Sequence, residues 1–209
     1  MLSEGKTFTP SEAAVVSGVS VKTVHREIDD GPLKPKHKSP LSKRSLREED
    51  LFYLAVAKGL DTRLIQLTKE GKDKLHEAIV ASCRGHGFAK KELSLFGGRL
   101  SLDLKLVLEE VRFRLRRLER ARTMVVEDPE IRGGEPCIRG TRIGVYEIAS
   151  LLEQGASEKE ILEGYPSLKL EHLELAKFFA KTHPRKGRPP RHPWRHTPWR
   201  KISRSETLR

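Results

Sequence analysis

The last 25 residues, Arg185–Arg209, limit most what this chain can fold into. They contain nine Lys and Arg residues against one acid, which is +8 of the chain's net charge of +12, and four prolines. Proline removes backbone donors, and such a segment buries too little apolar surface to offset its ordering entropy. We therefore expect a disordered basic tail over residues 184–209. Both tryptophans, Trp194 and Trp199, lie in it, each within a Pro-Trp-Arg triplet. This combination predicts ordering on an acidic, partly apolar partner.

At 209 residues the chain is long enough for two small domains, or for one domain with appendages. The two cysteines, Cys83 and Cys137, make no disulfide framework and indicate a reducing cytosol, so we expect a cytoplasmic protein. The apolar runs are too short to span a membrane, and we expect no membrane association.

Residues 7–31 predict two short helices joined by a turn at Gly18. A Thr-Pro-x-Glu capping box begins the first helix after Thr9, and Ser20 caps the second, which is predicted to span residues 21–30. This pattern is typical of a helix-turn-helix, and an ordinary corner of two helices is the alternative.

The second of these helices has the pattern of a DNA recognition helix. Val21, Val24 and Ile28 are spaced to face a core, which leaves polar side chains outward. A recognition helix lies in the major groove, where Arg and Lys bond base edges while phosphate contacts supply much of the affinity. The predicted DNA-binding side chains here are Ser20, Lys22, Thr23, His25 and Arg26.

A basic loop follows over residues 34–47, with six Lys and Arg residues, two prolines and no acid. Its composition predicts an extended wing that contacts the DNA backbone. The predicted contacts are Lys34, Lys36, Lys38, Lys43 and Arg44. Residues 1–75 are thus predicted to form a helix-turn-helix DNA-binding domain, possessing a basic wing, that reads operator DNA.

Residues 76–122 predict a connecting helix, a β-hairpin with a two-residue turn at Gly97 and Gly98, and a long amphipathic helix over residues 103–122. The apolar side chains of that helix recur at intervals of four and three residues. This seam either packs on its own domain or forms the contact of a homodimer. Its members are Leu104, Leu108, Val111, Leu115 and Leu118.

Residues 123–183 predict three short helices in a small helix-turn-helix-like domain. Ser157 and Glu160 form a second capping box within it. The predicted fold class is therefore mainly α with a small β-hairpin, an N-terminal helix-turn-helix domain, a C-terminal three-helix domain and a disordered basic tail.

We expect neither catalysis nor a cofactor. The glycine-rich residues 133–141 lack the lysine that a phosphate-binding loop requires after its second glycine, because Thr141 follows Gly140. We interpret these glycines as tight turns with positive φ. Cys83 and His86 supply only half of a zinc site, so no metal is expected. No nucleophile is paired with a base, and the chain is not predicted to be an enzyme.

The most specific pattern is DPEIRGGEPCIRGTRI over residues 128–143. It is followed by Leu152, Gly155, Ile161, Tyr165, Pro166 and the triplet Gly187-Arg188-Pro189. This pattern resembles a bacterial domain, formerly of unknown function, that occurs in VapB-like antitoxins. The N-terminal segment is similar to the DNA-binding module of the same antitoxins.

The resemblance implies an antitoxin of a type II toxin–antitoxin module. Such a protein binds and inhibits a cognate PIN-domain ribonuclease toxin, and it regulates its own operon by binding DNA as a homodimer and as a hetero-oligomer with the toxin. Toxins of this class gather carboxylates around Mg²⁺, and guanidinium groups pair with carboxylates. The predicted toxin-binding residues are Arg188, Arg191, Trp194, Arg195, Trp199 and Arg200.

A stand-alone helix-turn-helix transcription regulator is the alternative. Its tail would serve as an AT-hook-like segment, because residues 186–191 contain an extended Gly-Arg-Pro core suited to the minor groove of A·T-rich DNA.

Overall fold

The computed structural model describes residues 6–34, 44–60, 67–83, 92–95 and 97–185. The fold is mainly helical, as predicted, and these residues form eight α-helices and two small antiparallel sheets. The predicted disordered tail lies outside the described residues beyond Arg185. The chain reaches this architecture through locally capped helices that share one apolar core.

The helices are α1 (Pro10–Ser17), α2 (Val21–Asp29), α3 (Glu48–Leu60), α4 (Lys69–Ser82), α5 (Lys105–Met124), α6 (Val145–Glu153), α7 (Glu158–Gly164) and α8 (Leu170–Thr182). The strands are β1 (Glu92–Leu95), β2 (Leu100–Asp103), β3 (Val125–Val126) and β4 (Cys137–Ile138). β1 pairs with β2 and β3 pairs with β4, both antiparallel.

The start of α1 confirms the predicted capping box. The Thr9 hydroxyl accepts the Glu12 N–H at 3.3 Å, and Glu12 Oε2 accepts the Thr9 N–H at 2.8 Å. Gly18 ends the helix with φ of 72°, and a Cβ there would lie 2.5 Å from Nη1 of Arg114. The positive φ favours glycine at the turn between α1 and α2, while the Arg114 guanidinium, at the end of a flexible side chain, could move away from a Cβ.

One prediction for α2 is wrong. Val24 is buried, but Val21, which was expected to face the core, is 39% exposed. The buried side of α2 is centred between Val24 and Glu27, the latter only 4% exposed. At about 100° per residue, Val21 lies roughly a quarter turn from that centre. The apolar spacing alone gives the wrong orientation of the helix because Glu27, a charged residue, occupies part of its buried side.

The predicted seam of α5 is buried inside the same chain. Its five members are between 1% and 9% exposed, and α5 packs against α1, α3 and α8. The alternative in which this seam joins two copies is therefore wrong, since its side chains are already covered. The five members are Leu104, Leu108, Val111, Leu115 and Leu118.

The β-hairpin is present, but its predicted two-residue turn is wrong. Leu95 pairs with Leu100, so four residues connect the strands. Leu93 and Leu95 are buried, and this buried side fixes the register of β1. Gly98 has φ of 88° and donates its N–H to the Leu95 carbonyl at 3.2 Å.

The C-terminal part consists of the β3–β4 pair, a 3₁₀ turn at Arg132–Gly134 and helices α6 to α8. Gly133, Gly134 and Gly140 all have positive φ, which confirms their interpretation as turn residues. The second capping box is also confirmed, since the Ser157 hydroxyl accepts the Glu160 N–H at 3.2 Å.

A single cluster of apolar side chains runs from Phe8 near the N-terminus to Phe179 in α8. Helices α1, α5 and α8 pack on one another and carry the cluster between the two ends of the folded chain. The domain boundaries expected from the sequence stay a prediction. A search of the described residues finds no helix with the length and apolar character needed to cross a bilayer.

Candidate nucleic-acid interface

The outward side of α2 presents hydrogen-bonding side chains to solvent. Ser20, Lys22 and Arg26 are exposed, and Thr23 and His25 are half-buried. Arg26 keeps 58% of its side chain exposed, with Nε 4.0 Å from the nearer carboxylate oxygen of Glu27. The structure thus brings together the five residues predicted on this helix.

Two of these residues also shape the start of α2. The Ser20 hydroxyl accepts the Thr23 N–H at 3.0 Å, and the two hydroxyl oxygens are 2.9 Å apart. Both groups lie at the amino end of the helix, where backbone N–H groups are unpaired and anions are favoured. The amino end of α2 therefore favours negatively charged groups.

A buried carboxylate fixes α2 to the helices beneath it. Glu27 accepts the Tyr53 hydroxyl at 2.8 Å and the Lys72 ammonium at 2.7 Å, with only 5% of its side chain exposed. Burial, followed by the hydrogen bond to Glu27, raises the pKa of Tyr53. The phenol therefore stays protonated and remains a donor. α2 is held to α3 and α4 through one side chain.

A second buried carboxylate joins α3 to α4. Asp50 accepts the Arg47 N–H at 2.8 Å and lies 2.9 Å from Nε2 of His76. The His76 ring meets the Tyr53 ring edge-on, with centroids 5.3 Å apart. Together with Glu27, these contacts make a rigid base under α2.

Sequence reasoning missed this base. The signal available was Glu27 itself, three residues after the buried Val24 and therefore on the same side of α2. The partners of Glu27 come from distant segments, and no local pattern identifies them.

The basic loop is described only at its two ends. Lys34 is exposed, and Arg44 donates to Asp29 at 2.8 Å. This ion pair offsets the charge of Asp29 at the end of α2, and it occupies Arg44, one of the predicted DNA contacts. Phe8 and Leu46 exchange backbone hydrogen bonds of 2.9 and 2.8 Å, so the C-terminal end of the loop lies beside the start of α1. The predicted contacts Lys36, Lys38 and Lys43 lie outside the described residues.

A third buried carboxylate connects the two ends of the chain. Glu12 is 1% exposed and lies 2.6 Å from Nη2 of Arg122 and 3.1 Å from Nε2 of His183. Burial alone would raise the pKa of Glu12. The hydrogen bonds from His183, the Thr9 backbone and Arg122 outweigh this effect and lower its pKa from 4.5 to about 2. α1 is thereby fixed to the ends of α5 and α8.

The glycine-rich loop is organised around Arg132, which has φ of 52°. Its guanidinium lies 2.7 Å from a Glu147 oxygen and 3.2 Å from a Glu135 oxygen. The Tyr165 hydroxyl donates to the other Glu147 oxygen at 2.8 Å. A Cβ on Gly144 would lie 3.3 Å from this guanidinium. Arg132 thus pairs with Glu135 of its own loop and with Glu147 of α6.

Burial disfavours the thiolate form of both cysteines. Burial raises the pKa of Cys83 to about 12, and burial also raises the pKa of Cys137. Among the described residues, no group of three or more His, Cys, Asp and Glu side chains is placed to hold a metal ion.

The remaining predicted site lies outside the described residues. Its members are Arg188, Arg191, Trp194, Arg195, Trp199 and Arg200. Arg185 is the last described residue before this segment. It pairs with Glu135, and its guanidinium carbon lies 4.7 Å from the centre of the Tyr146 ring.

Comparison with known proteins identifies relatives for most of the chain. The family described as "Protein of unknown function (DUF433)" matches residues 125–180. An uncharacterized protein, y4eO, of Sinorhizobium fredii (strain NBRC 101917 / NGR234) is 32% identical over 181 residues, which are 85% of this chain and 82% of the relative. The crystal structure of a DUF433 member protein from Anabaena variabilis ATCC 29413 is 33% identical. It covers 36% of this chain and 75% of its own, with a TM-score of 0.29.

Proposed function

This chain belongs to the family of the uncharacterized protein y4eO and carries a DUF433 domain at residues 125–180, and we propose that it is a DNA-binding antitoxin. It binds operator DNA through a helix-turn-helix made of α1 and α2. It also binds and inhibits a cognate PIN-domain ribonuclease. The observation that carries the DNA-binding part is the exposed polar side of α2 on its buried carboxylate base.

The exposed side of α2 has the chemistry of a recognition helix. Lys22 and Arg26 are four residues apart, so they lie on the same side one turn from each other. A guanidinium or ammonium group on this side suits the acceptor pair of guanine in the major groove. Ser20 and Thr23, at the amino end of α2, suit a phosphate oxygen.

The buried base supports this assignment because DNA readout requires a helix of fixed orientation. Glu27 faces the opposite side of α2 from the solvent and is held by Tyr53 and Lys72. A recognition helix anchored in this way presents its base-reading side chains without an ordering cost at each encounter.

A binding titration tests the DNA-binding part. The probe is the duplex immediately upstream of the protein's own gene, at fixed salt concentration. We expect the double variant Lys22→Ala/Arg26→Ala to bind about 10- to 100-fold more weakly than the wild type.

The matched control is Arg142→Ala/Lys159→Ala, which removes the same two charges from exposed positions in the C-terminal part. Its affinity should stay close to that of the wild type. Equal weakening by both double variants would mean that net charge alone drives binding, and the α2 assignment would then be wrong.

The toxin-binding part rests on the composition of the tail and on the resemblance of residues 128–143 to VapB-like antitoxins. The tail offers guanidinium groups at Arg188, Arg191, Arg195 and Arg200 to a carboxylate-lined nuclease pocket. Trp194 and Trp199 supply apolar anchors at low entropic cost. Occupation of the pocket would exclude Mg²⁺ or the RNA substrate.

A stand-alone transcription regulator remains the second candidate because of the AT-hook-like core at residues 186–191. It shares the DNA-binding part and differs in the role of the tail. A ribonuclease reading frame beside this gene, whose product co-purifies with the chain, favours the antitoxin.

A further inference from the structure

Helix α5 carries a second apolar stripe on its solvent side. Leu106 is 78% exposed and Phe113 is 54% exposed. They lie seven residues apart, so they share one side of the helix, two turns from each other. This side is opposite the buried seam, in which Val111 and Leu118 are each 1% exposed. Large apolar side chains aligned in this way point to an interaction surface.

A groove between α5 and α8 extends this surface. It has a volume of about 840 Å³, and its walls include Phe113, Arg117, Leu170 and Phe178. Leu170 is itself 47% exposed. The Arg117 guanidinium carbon lies 5.9 Å from the centre of the Phe113 ring and 5.0 Å from that of Phe178. The exposed stripe thus continues into a groove that has apolar side chains on its walls and charged side chains among its lining, including Arg120, Glu171 and Glu174.

Along the helix, acidic residues precede Phe113 and basic residues follow it. Glu109 and Glu110 precede Phe113 by four and three residues, and Arg116 and Arg117 follow it by three and four. At about 100° per residue, Glu109 and Arg116 flank one edge of the stripe while Glu110 and Arg117 flank the other. Glu109 and Arg116 are exposed, and neither pairs with another side chain in the part of the chain that the structure describes.

We propose that this surface of α5 binds a second copy of the chain, with the two helices antiparallel and Phe113 on the two-fold axis. A two-fold axis at Phe113 reverses the helix direction and sets each edge of the stripe beside the same edge of the partner subunit. Glu109 then faces Arg116 of the partner subunit along one edge, and Glu110 faces Arg117 of the partner subunit along the other. A parallel arrangement would set like charges opposite each other and is disfavoured.

The surface is distinct from the buried α5 seam and supplies a contact for the dimer that operator binding requires. Only the link between this dimer and operator binding rests on the proposed function. The self-complementary charges and the exposed apolar side chains are properties of the helix whether or not the chain binds DNA.

Sedimentation velocity on the full chain without DNA tests the proposal. We expect the wild type to have twice the chain mass of 23.8 kDa, with dissociation on dilution. Glu109→Arg should weaken the dimer about tenfold, because it sets two cations opposite each other at two symmetric places. Glu109→Arg/Arg116→Glu restores opposite charges and should return the dissociation constant to within about threefold of the wild type.

Phe113→Glu should give a monomer with an unchanged circular dichroism spectrum, since Phe113 is exposed and its loss leaves the core intact. Glu163→Arg is the control, an equal charge reversal at an exposed site on α7. A monomeric wild type, a Phe113→Glu dimer, or a charge-swapped double variant as weak as Glu109→Arg would each overturn the proposal. Unweakened DNA binding by Lys22→Ala/Arg26→Ala would overturn the DNA-binding proposal and would leave these masses unchanged, so the two proposals fail separately.

Discussion

Glu12 lies where three helices meet, with 1% of its surface exposed. It completes the capping box of α1, and the same carboxylate pairs with Arg122 at the end of α5 and with His183 after α8. A charged group in this position stabilises the fold only while all its partners are present. Glu12 is therefore the residue at which the N-terminal and C-terminal segments depend on each other.

Glu12→Gln should lower the free energy of unfolding at pH 7 by about 3 kcal/mol. The amide keeps the size of the side chain but loses the charge that Arg122 and His183 bond. Chemical denaturation at pH 7 measures the loss. Glu160→Gln, the equivalent change in the exposed capping box of α7, is the matched control and should have a much smaller effect.

The same carboxylate makes stability depend on pH. Its pKa is about 2 in the folded chain against 4.5 ordinarily, so its contribution is fully present above pH 4.5 and is lost as the pH falls towards 2. Denaturation curves of Glu12→Gln should lack this part of the acid destabilisation. Identical acid profiles for variant and wild type would remove Glu12 from this role.

For single residues, hydrogen bonds to nearby backbone groups were predictable from the sequence, and pairing with side chains far away in the sequence was not. The capping residues Thr9 and Ser157 bond backbone groups three residues away, so their sequence spacing is sufficient to identify them. Glu27 pairs with Tyr53 and Lys72, which are 26 and 45 residues away. The wrong placement of Val21 has the same cause. Without knowledge of Tyr53 and Lys72, Glu27 is assigned to the exposed side of α2 and Val21 to the buried side.

At the scale of elements, α2 owes its orientation to what lies beneath it. Its buried side offers Val24, Glu27 and part of Ile28 to its neighbours. With so little apolar area, the hydrogen bonds to Glu27 decide how firmly the helix is held.

Tyr53→Phe tests this hold. The variant keeps the ring but removes a donor from a buried carboxylate, and we expect a loss of about 1–2 kcal/mol in unfolding free energy. Hydrogen exchange should be faster in α2 than in α8. Tyr165→Phe removes the same atom from the more exposed contact with Glu147 and should cost less. Equal losses in the two variants would contradict the special role of Glu27.

Helix α5 shows why an apolar pattern leaves its partner open. The intervals of four and three residues predict a buried side, and that side is buried. The same pattern arises whether the cover is α8 or a second chain, because burial selects apolar residues in both cases. The exposed pair Leu106 and Phe113 was not singled out from the sequence, since single apolar residues on a surface are common.

At the scale of the whole molecule, one apolar core runs under the proposed DNA-binding helices and the DUF433 domain. Helices α1, α5 and α8 meet within it, and Glu12 adds a polar contact at their junction. The proposed DNA-reading side of α2 and the start of the basic tail are therefore parts of a single packed unit. Which partner the tail meets was not predictable from packing, because residues 186–209 lie outside the described part of the chain.

The ribonuclease activity of the neighbouring gene's product, measured while the full chain is titrated in, tests the antitoxin proposal most directly. We expect stoichiometric inhibition by the full chain and loss of inhibition when residues 186–209 are deleted. A chain lacking only residues 1–5 is the control and should inhibit like the full chain. Undiminished ribonuclease activity at excess full chain, or inhibition that survives the tail deletion unchanged, would contradict it.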